Sequence, residues 1–283
     1  MDIIKGKPIA DQIKGKVQKA VEELKAQGKR LPGLAVVRMN DDPASATYVR
    51  NIIKAGENVG FVCTLHQLDL DLSQDQVIAE IEKLNQDERV DGIILQMPMP
   101  KHINVKTVTE TIAFAKDVEG VTVVNAGKLF VGDKGFVPCT PQAVMEILHA
   151  MDLSLEGKHA VVIGRSNVVG KPVSILLQKD NCTVTMCHSR SKDLPGLARQ
   201  ADILVCAVGK AKMVDATYTN PDQVIIDVAI NLDENGKLCG DVDFADVEGK
   251  VQAITPVPGG VGTVTNAVLL QSTLAAYQEH AIQ

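Results

Sequence analysis

Apolar residues recur every three or four positions at Ile9, Ile13, Val17, Val21 and Leu24, which predicts an amphipathic helix over residues 8–27, stopped by Gly28. The stretch from Leu34 to Met39, apolar except for Arg38, reads as a buried strand. A helix over about 43–58, a strand from Phe61 to Leu65 and a third strand from Gly92 to Leu95 continue the alternation. Ser73 and Gln76 stand three apart, a capping box that opens a helix with Val77, Ile78, Ile81 and Leu84 inward. Helices alternating with short apolar runs predict a parallel α/β layer, whose ligands gather beyond the strand carboxyl ends. That edge carries Met39 to Pro43 and Gln96 to Pro100.

A second series of the same kind starts with a helix at 141–150, which Thr140 is expected to cap with Pro141 in its first position. Strands follow at 159–163, 182–187, 202–206 and 223–229, and a last helix covers 264–279 with Val264, Val268, Leu274 and Tyr277 inward. At 283 residues the chain exceeds one typical core, so two domains are expected. The segment Phe136 to Pro141, with two prolines, is the expected crossing between them.

The stretch Gly164 to Pro172, reading GRSNVVGKP, lies between the strand Ala160 to Ile163 and an amphipathic run from Val173. A β-branched run, a glycine-bounded turn and a helix start make a phosphate cradle, because N–H groups at a helix N-terminus carry partial positive charge. The chain is therefore expected to bind a nucleotide, although the glycines are not spaced as in the common dinucleotide fingerprint. An NAD site commonly ends its next strand in an acidic residue that holds the ribose 2′-hydroxyl. Here Cys182 to Cys187 runs instead into His188-Ser189-Arg190. Ser189 and Arg190, with Arg165 in the loop, suit a 2′-phosphate, since arginine offers a two-pronged fork to phosphate and a carboxylate would repel it. NADP is the expected cofactor.

The composition narrows the partners further. A net charge of -6 argues against a nucleic-acid or anionic-membrane surface. The N-terminus meets Pro8 and charged residues before any apolar stretch of signal-peptide length, and no run approaches a spanning helix, so a cytoplasmic protein is expected. Six cysteines form no C-x-x-C pair and the histidines show no ligand-like spacing, so neither a disulfide nor a metal is expected.

Longer strings make the reading specific: Pro43-Ala44-Ser45 with Tyr48-Val49, Gln96-Met97-Pro98-Met99-Pro100, Lys116-Asp117-Val118-Glu119-Gly120, Pro138-Cys139-Thr140-Pro141, and Thr255-Pro256-Val257-Pro258-Gly259-Gly260-Val261-Gly262. With the glycine loop and His188-Ser189-Arg190, they resemble the methylenetetrahydrofolate dehydrogenase/methenyltetrahydrofolate cyclohydrolase family from about residue 3 to 279. The resemblance implies an N-terminal α/β folate domain, residues 1–139 completed by the C-terminal helix 264–283. It also implies a Rossmann-type, doubly wound NADP-binding domain over 140–263. A homodimer joined through the nucleotide domains is implied as well, with the folate lying between the domains.

In the resembling family a tyrosine packs on the pterin, a lysine four residues later does acid/base work, a glutamine bonds near that lysine, and an aspartate grips the nitrogen edge of the pterin. Tyr48 and Gln96 match, and the aspartate falls on Glu119, one methylene longer. These three are the implied catalytic residues. Further substrate contacts are implied at Leu95, Met97, Pro258, Gly259, Gly260, Val261 and Gly262, and cofactor contacts at Gly164, Arg165, Ser166, Ser189, Arg190 and Ile230.

The lysine is the main departure, because position 52 is Ile. Lys54 does not replace it, since at about 100° per residue it lies about 200° round the helix from position 52. Smaller departures are Ala143, Ala229 and Thr263-Val264. Hydride transfer from 5,10-methylenetetrahydrofolate needs positioning rather than a side-chain base. Hydrolysing the methenyl cation needs an activated water, which Ile52 cannot supply. The expectation is a dehydrogenase of one-carbon folate metabolism with weak or absent cyclohydrolase. The alternatives are a fully bifunctional enzyme with a substitute for the lysine and a catalytically silent folate and nucleotide binding protein.

Overall fold

The structure, a computed structural model, describes residues 1–281; the expected C-terminal stretch 264–283 includes Ile282 and Gln283, which lie outside the described residues. Strand β1 (Asp2–Ile3) and helix α1 (Gly6–Ala26) come first, followed by β2 (Gly33–Arg38), α2 (Pro43–Asn58), β3 (Val62–Gln67), α3 (Gln74–Gln86) and β4 (Gly92–Gln96). Two short helices, α4 (Val105–Thr111) and α5 (Val123–Val131), lead to the second series. That series runs α6 (Cys139–Ala150), β5 (His159–Ile163), α7 (Gly170–Lys179), β6 (Thr183–Cys187), α8 (Leu194–Ala198), β7 (Ile203–Cys206) and β8 (Val224–Asp227). A hairpin of β9 (Asn231–Leu232) and β10 (Leu238–Cys239), then α9 (Phe244–Val247), β11 (Ala253–Ile254) and α10 (Val261–His280) complete the chain.

Two compact units result. The first is Gln12–Val137 with the chain from Asn266 onward, and the second is Met1–Asp11 with Pro138–Thr265. Chain order had grouped the first eleven residues with the folate half. They group with the second unit because β1 pairs in parallel with β11, Ile3 opposite Ile254. Strands of two residues are too short for periodicity to reveal.

The first unit is built on a parallel sheet in the order β3-β2-β4. Central β2 is buried along nearly its whole length, while edge strand β3 is mostly exposed. Val77, Ile81 and Leu84 of α3 pack on Val37, Ile93 and Leu95 as the periodicity predicted, and the Ser73–Gln76 capping box forms in both directions. Phe61 does not enter β3; it packs with Val17 and Val21 of α1 and with Leu270, Leu274 and Tyr277 of α10. The end of α10 is tied down by Asp91. This fully buried carboxylate takes two bonds from Arg30 at 2.7 Å, one from Gly33 N at 2.8 Å and one from His280 Nδ1 at 3.1 Å.

The second unit holds a six-stranded parallel sheet in the order β1-β11-β8-β7-β5-β6, helices and strands alternating along the chain. It is the expected doubly wound arrangement. Val161, Ile163, Leu204, Cys206, Ile225 and Ile254 form its core with Val214, Val242 and Val247. Two local expectations shift. Helix α6 begins at Cys139 behind Pro138, with no side-chain cap, so Thr140 is not its cap. Pro141 sits at the third helical position, where the missing N–H still has no partner to lose. Helix α7 opens at Gly170, three residues before Val173, which shortens the glycine loop to residues 164–169.

Candidate active site

Each sheet reverses its strand order at one place, and each reversal gathers residues that the sequence had singled out. In the first unit the chain passes from β2 outward to β3 and then back across to β4, so the loops after β2 and β4 flank the switch point. Ligands in open α/β sheets bind at such a point, beyond the carboxyl ends. Arg38 and Gln96 are paired there, and Asn40 Nδ2 donates to Pro98 O at 2.9 Å, joining the two loops. Gln96 donates through Nε2 to Met97 O at 2.7 Å, and Met97 is exposed. Leu95 points into the core with Val37, Ile81 and Ile93, so only its backbone faces the edge.

Helix α2 starts on this edge because Asp42 caps it, accepting from Ser45 N at 2.7 Å, with Pro43 in its first turn. Its buried stripe is Ser45, Val49, Ile52 and Gly56, the spacing of one helical face. Ile52 is 2% exposed whereas Tyr48 is 40% exposed, so the stripe closes over position 52 and leaves the tyrosine ring open. The Tyr48 hydroxyl donates to Asn266 Oδ1 at 3.4 Å. Lys54 is exposed, away from the stripe, as the helical angle predicted.

The Lys116 to Gly120 string divides its work. Lys116 is buried and donates to Leu84 O and Asp87 O at 3.1 and 2.8 Å. Asp117, fully buried, accepts from Val121 N, from Thr122 N and Oγ1, and from Asn125 Nδ2, fixing the start of α5. It is structural rather than part of a solvated charge cluster. Glu119 is half-buried beside it, and burial, with the Asp117 charge adding to it, pushes the Glu119 carboxyl up to about 7. Gly120 has φ +62°, and a Cβ there would overlap the Phe136–Val137 backbone.

In the second unit the switch point lies between β5 and β7. Gly164, with φ +131°, follows β5, and a Cβ on it would overlap Ala207 O in the loop after β7. A Cβ on Gly170 would likewise overlap Gly164 O. Both positions require glycine for close approach. Ser166 Oγ accepts from Val169 N at 3.1 Å and Gly170 N at 3.3 Å, so it caps the opening of α7. Arg165 and Ser166 are exposed in the loop, and Ser189 and Arg190 are exposed after β6, the strand paired with β5 through Ile163 and Cys187. Among the described residues neither guanidinium has a hydrogen-bond or ion-pair partner. The turn is closed by His188 N on Ser191 Oγ at 3.0 Å, and its four residues carry no carboxylate.

Ile230, after β8, is 63% exposed and lies close to Gly262. Pro258, Gly259 and Gly262 are exposed at the opening of α10, while Gly260 and Val261 are buried. Gly260 packs its backbone against Gly6, where no Cβ fits. Sequence reasoning missed the fixing carboxylates Asp91, Asp227, which accepts from Asp241 N and Val242 N, and Asp241, which accepts from Val208 N and Lys210 N, because single acidic residues beside strands have no periodic signature.

Both halves of the chain match known proteins. Residues 4–119 match the model for the tetrahydrofolate dehydrogenase/cyclohydrolase catalytic domain, and residues 138–281 match that for its NAD(P)-binding domain. The bifunctional protein FolD of Listeria innocua is 50% identical over 275 residues, covering 97% of this chain and 96% of its own. The crystal structure of the bifunctional enzyme FolD from Campylobacter jejuni is 40% identical, with a TM-score of 0.95 and 99% of both chains covered. A Trypanosoma brucei methylenetetrahydrofolate dehydrogenase-cyclohydrolase, solved with NADP and an inhibitor, is 33% identical with a TM-score of 0.93 over 99% of this chain and 98% of its own. With both halves matched in order, the chain belongs to the tetrahydrofolate dehydrogenase/cyclohydrolase family.

Proposed function

We propose that the chain oxidises 5,10-methylenetetrahydrofolate to 5,10-methenyltetrahydrofolate with NADP, and that it hydrolyses the product only slowly because position 52 carries no amine. The observation that carries the cofactor half is the end of β6, where Ser189 and Arg190 stand without a carboxylate beside a glycine loop bearing Arg165. These groups fit NADP. The arginines offer forks to the 2′-phosphate, and the loop backbone at Gly164 allows close approach of the diphosphate. When bound, the nicotinamide supplies the hydride acceptor for the bridging carbon, and the two flanking folate nitrogens stabilise the cation that remains. The chain's own groups orient and shield: Tyr48 presents its ring to the pterin, Glu119 accepts from the pterin's N–H edge, and Gln96 at the end of β4 lines the same edge of the sheet. Steady-state NADPH formation, measured with NADP and NAD in parallel, tests the reading. Turnover with a preference for NADP is expected, and its absence overturns it.

A second reading keeps both activities, and Glu119 favours it. A carboxyl near 7 is matched to general acid/base work at neutral pH, and the relatives at about half identity carry bifunctional names. Replacing Glu119 by Gln separates the roles. If Glu119 only grips the pterin, its ionised form binds best, so the folate KM of the wild type falls as pH rises through about 7 and the variant flattens that profile. If Glu119 is also the working base, the variant loses hydrolysis as well. Stability gives an independent check. The carboxyl titrates higher in the folded chain than its ordinary 4.5, so folding holds a proton between about 4.5 and 7 and stability falls as pH rises through that window. The Gln variant should therefore melt higher than wild type at pH 8 and not at pH 4.

A homodimer formed through the second unit is proposed on the family resemblance. Light scattering at micromolar concentration should give twice the 30.3 kDa of the chain, and a monomer contradicts it.

A further inference from the structure

Two buried carboxylates stand behind the second unit's switch point with no ion pair among the described residues. Asp241 is fully buried and accepts four hydrogen bonds, from Val208 N at 2.6 Å, Gly209 N at 3.2 Å, Lys210 N at 2.7 Å and Asn231 Nδ2 at 3.0 Å. Asp227, the last residue of β8, accepts from Asp241 N at 3.0 Å and Val242 N at 2.9 Å. A Cβ on Gly240 would overlap the Asp227 carboxylate, so the chain passes it as bare backbone. Such burial is costly to a charge without a cation. It pushes the Asp227 carboxyl up to about 7, Asp241 adding to the effect.

The sheet does not need this arrangement, because β7 and β8 are already paired from Ile203–Val224 to Cys206–Asp227. What Asp241 joins is two loops. One, at 208–210, continues from Ala207, which touches Gly164; the other carries Ile230 next to Asn231. In a doubly wound fold the strands on either side of the switch point serve the two mononucleotide halves of the cofactor. The loops after β7 and β8 therefore flank the nicotinamide half, opposite Arg165, Ser189 and Arg190. We propose that Asp241 is a positioning residue for the dinucleotide, strapping loops 208–210 and 229–231 into the form that receives its nicotinamide half, and that Asp227 holds Asp241 in place. The inference rests on the reading that this crevice takes NADP.

The test is Asp241→Asn, which puts an NH₂ group where N–H donors now converge. Three quantities are measured on wild type and variant: affinity for NADP, affinity for adenosine 2′,5′-bisphosphate, which lacks the nicotinamide, and kcat for oxidation. A charge-assisted bond is worth enough that its loss weakens binding by about tenfold or more. The variant should lose about that factor in NADP affinity, lower kcat, and keep its affinity for the bisphosphate. Asn231→Ala, which cuts only the strap to the second loop, should show the same selectivity to a smaller degree and serves where Asp241→Asn does not fold. Loss of both ligands in parallel, or of neither, overturns the positioning role. Wild-type protein that binds neither ligand instead overturns the NADP reading itself.

Discussion

Replacing Ile52 by Lys is expected to raise methenyltetrahydrofolate hydrolysis by about 10²-fold or more while NADP-dependent oxidation changes little, since general acid/base assistance is typically worth about 10²- to 10⁴-fold. Position 52 belongs to the buried stripe of α2, and helical side chains lean toward the N-terminus, which aims a new amine back toward Tyr48 and Ser45. Ser45 Oγ is buried and has no hydrogen-bond partner among the described residues, so an acceptor stands on the same face. Burial lowers an ammonium's pKa, which is what water activation near neutrality needs, and the same burial costs stability. Ile52→Met keeps the volume without the amine and separates the two effects. A folded Ile52→Lys protein no faster than Ile52→Met contradicts the account. So does a wild-type hydrolase that Lys54→Ala abolishes, because the working amine is then on the exposed side of the helix.

Arg165→Ala should raise the KM for NADP by about tenfold or more and leave that for NAD nearly unchanged, because a hydrogen bond to a charged group contributes about 1.5 to 3 kcal/mol. Arg165 is exposed, so the difference should shrink as salt is added and is best read at low ionic strength. The partner cation Arg190 at the end of β6 keeps part of the discrimination, which makes the double variant the larger effect. Equal losses for both cofactors contradict a 2′-phosphate site.

Most of the chain could be read from its pattern because both main sheets are parallel and their central strands are buried. Runs such as Leu34 to Val37 and Ala160 to Ile163 have no polar interruption, and helices such as α3 carry both periodicity and a capping box. What stayed hidden was set by contacts distant in sequence. Nothing in Asp2-Ile3 announces a strand until Ala253-Ile254 lies beside it, and Phe61 looks like a strand residue until α10 packs over it. The same holds within the site. The loop position of Gly164 and Arg165 was legible because a turn between strand and helix has a compositional signature, whereas Asp241 collects donors from residues 208–210 and 231 that only the fold brings together. Glu119 was visible as a carboxylate, but its raised pKa required its burial beside Asp117.

On the proposed reading, hydride transfer and water activation are separable in this chain because the first needs positioning and the second needs a group that Ile52 cannot supply. The most direct measurement follows both on one wild-type preparation: NADPH formation from 5,10-methylenetetrahydrofolate, then the decay of methenyltetrahydrofolate absorbance in the same buffer. Steady NADPH formation is expected, followed by methenyl decay close to the enzyme-free rate. Fast enzymatic decay alongside NADPH formation, unaffected by any change at position 52, would contradict it.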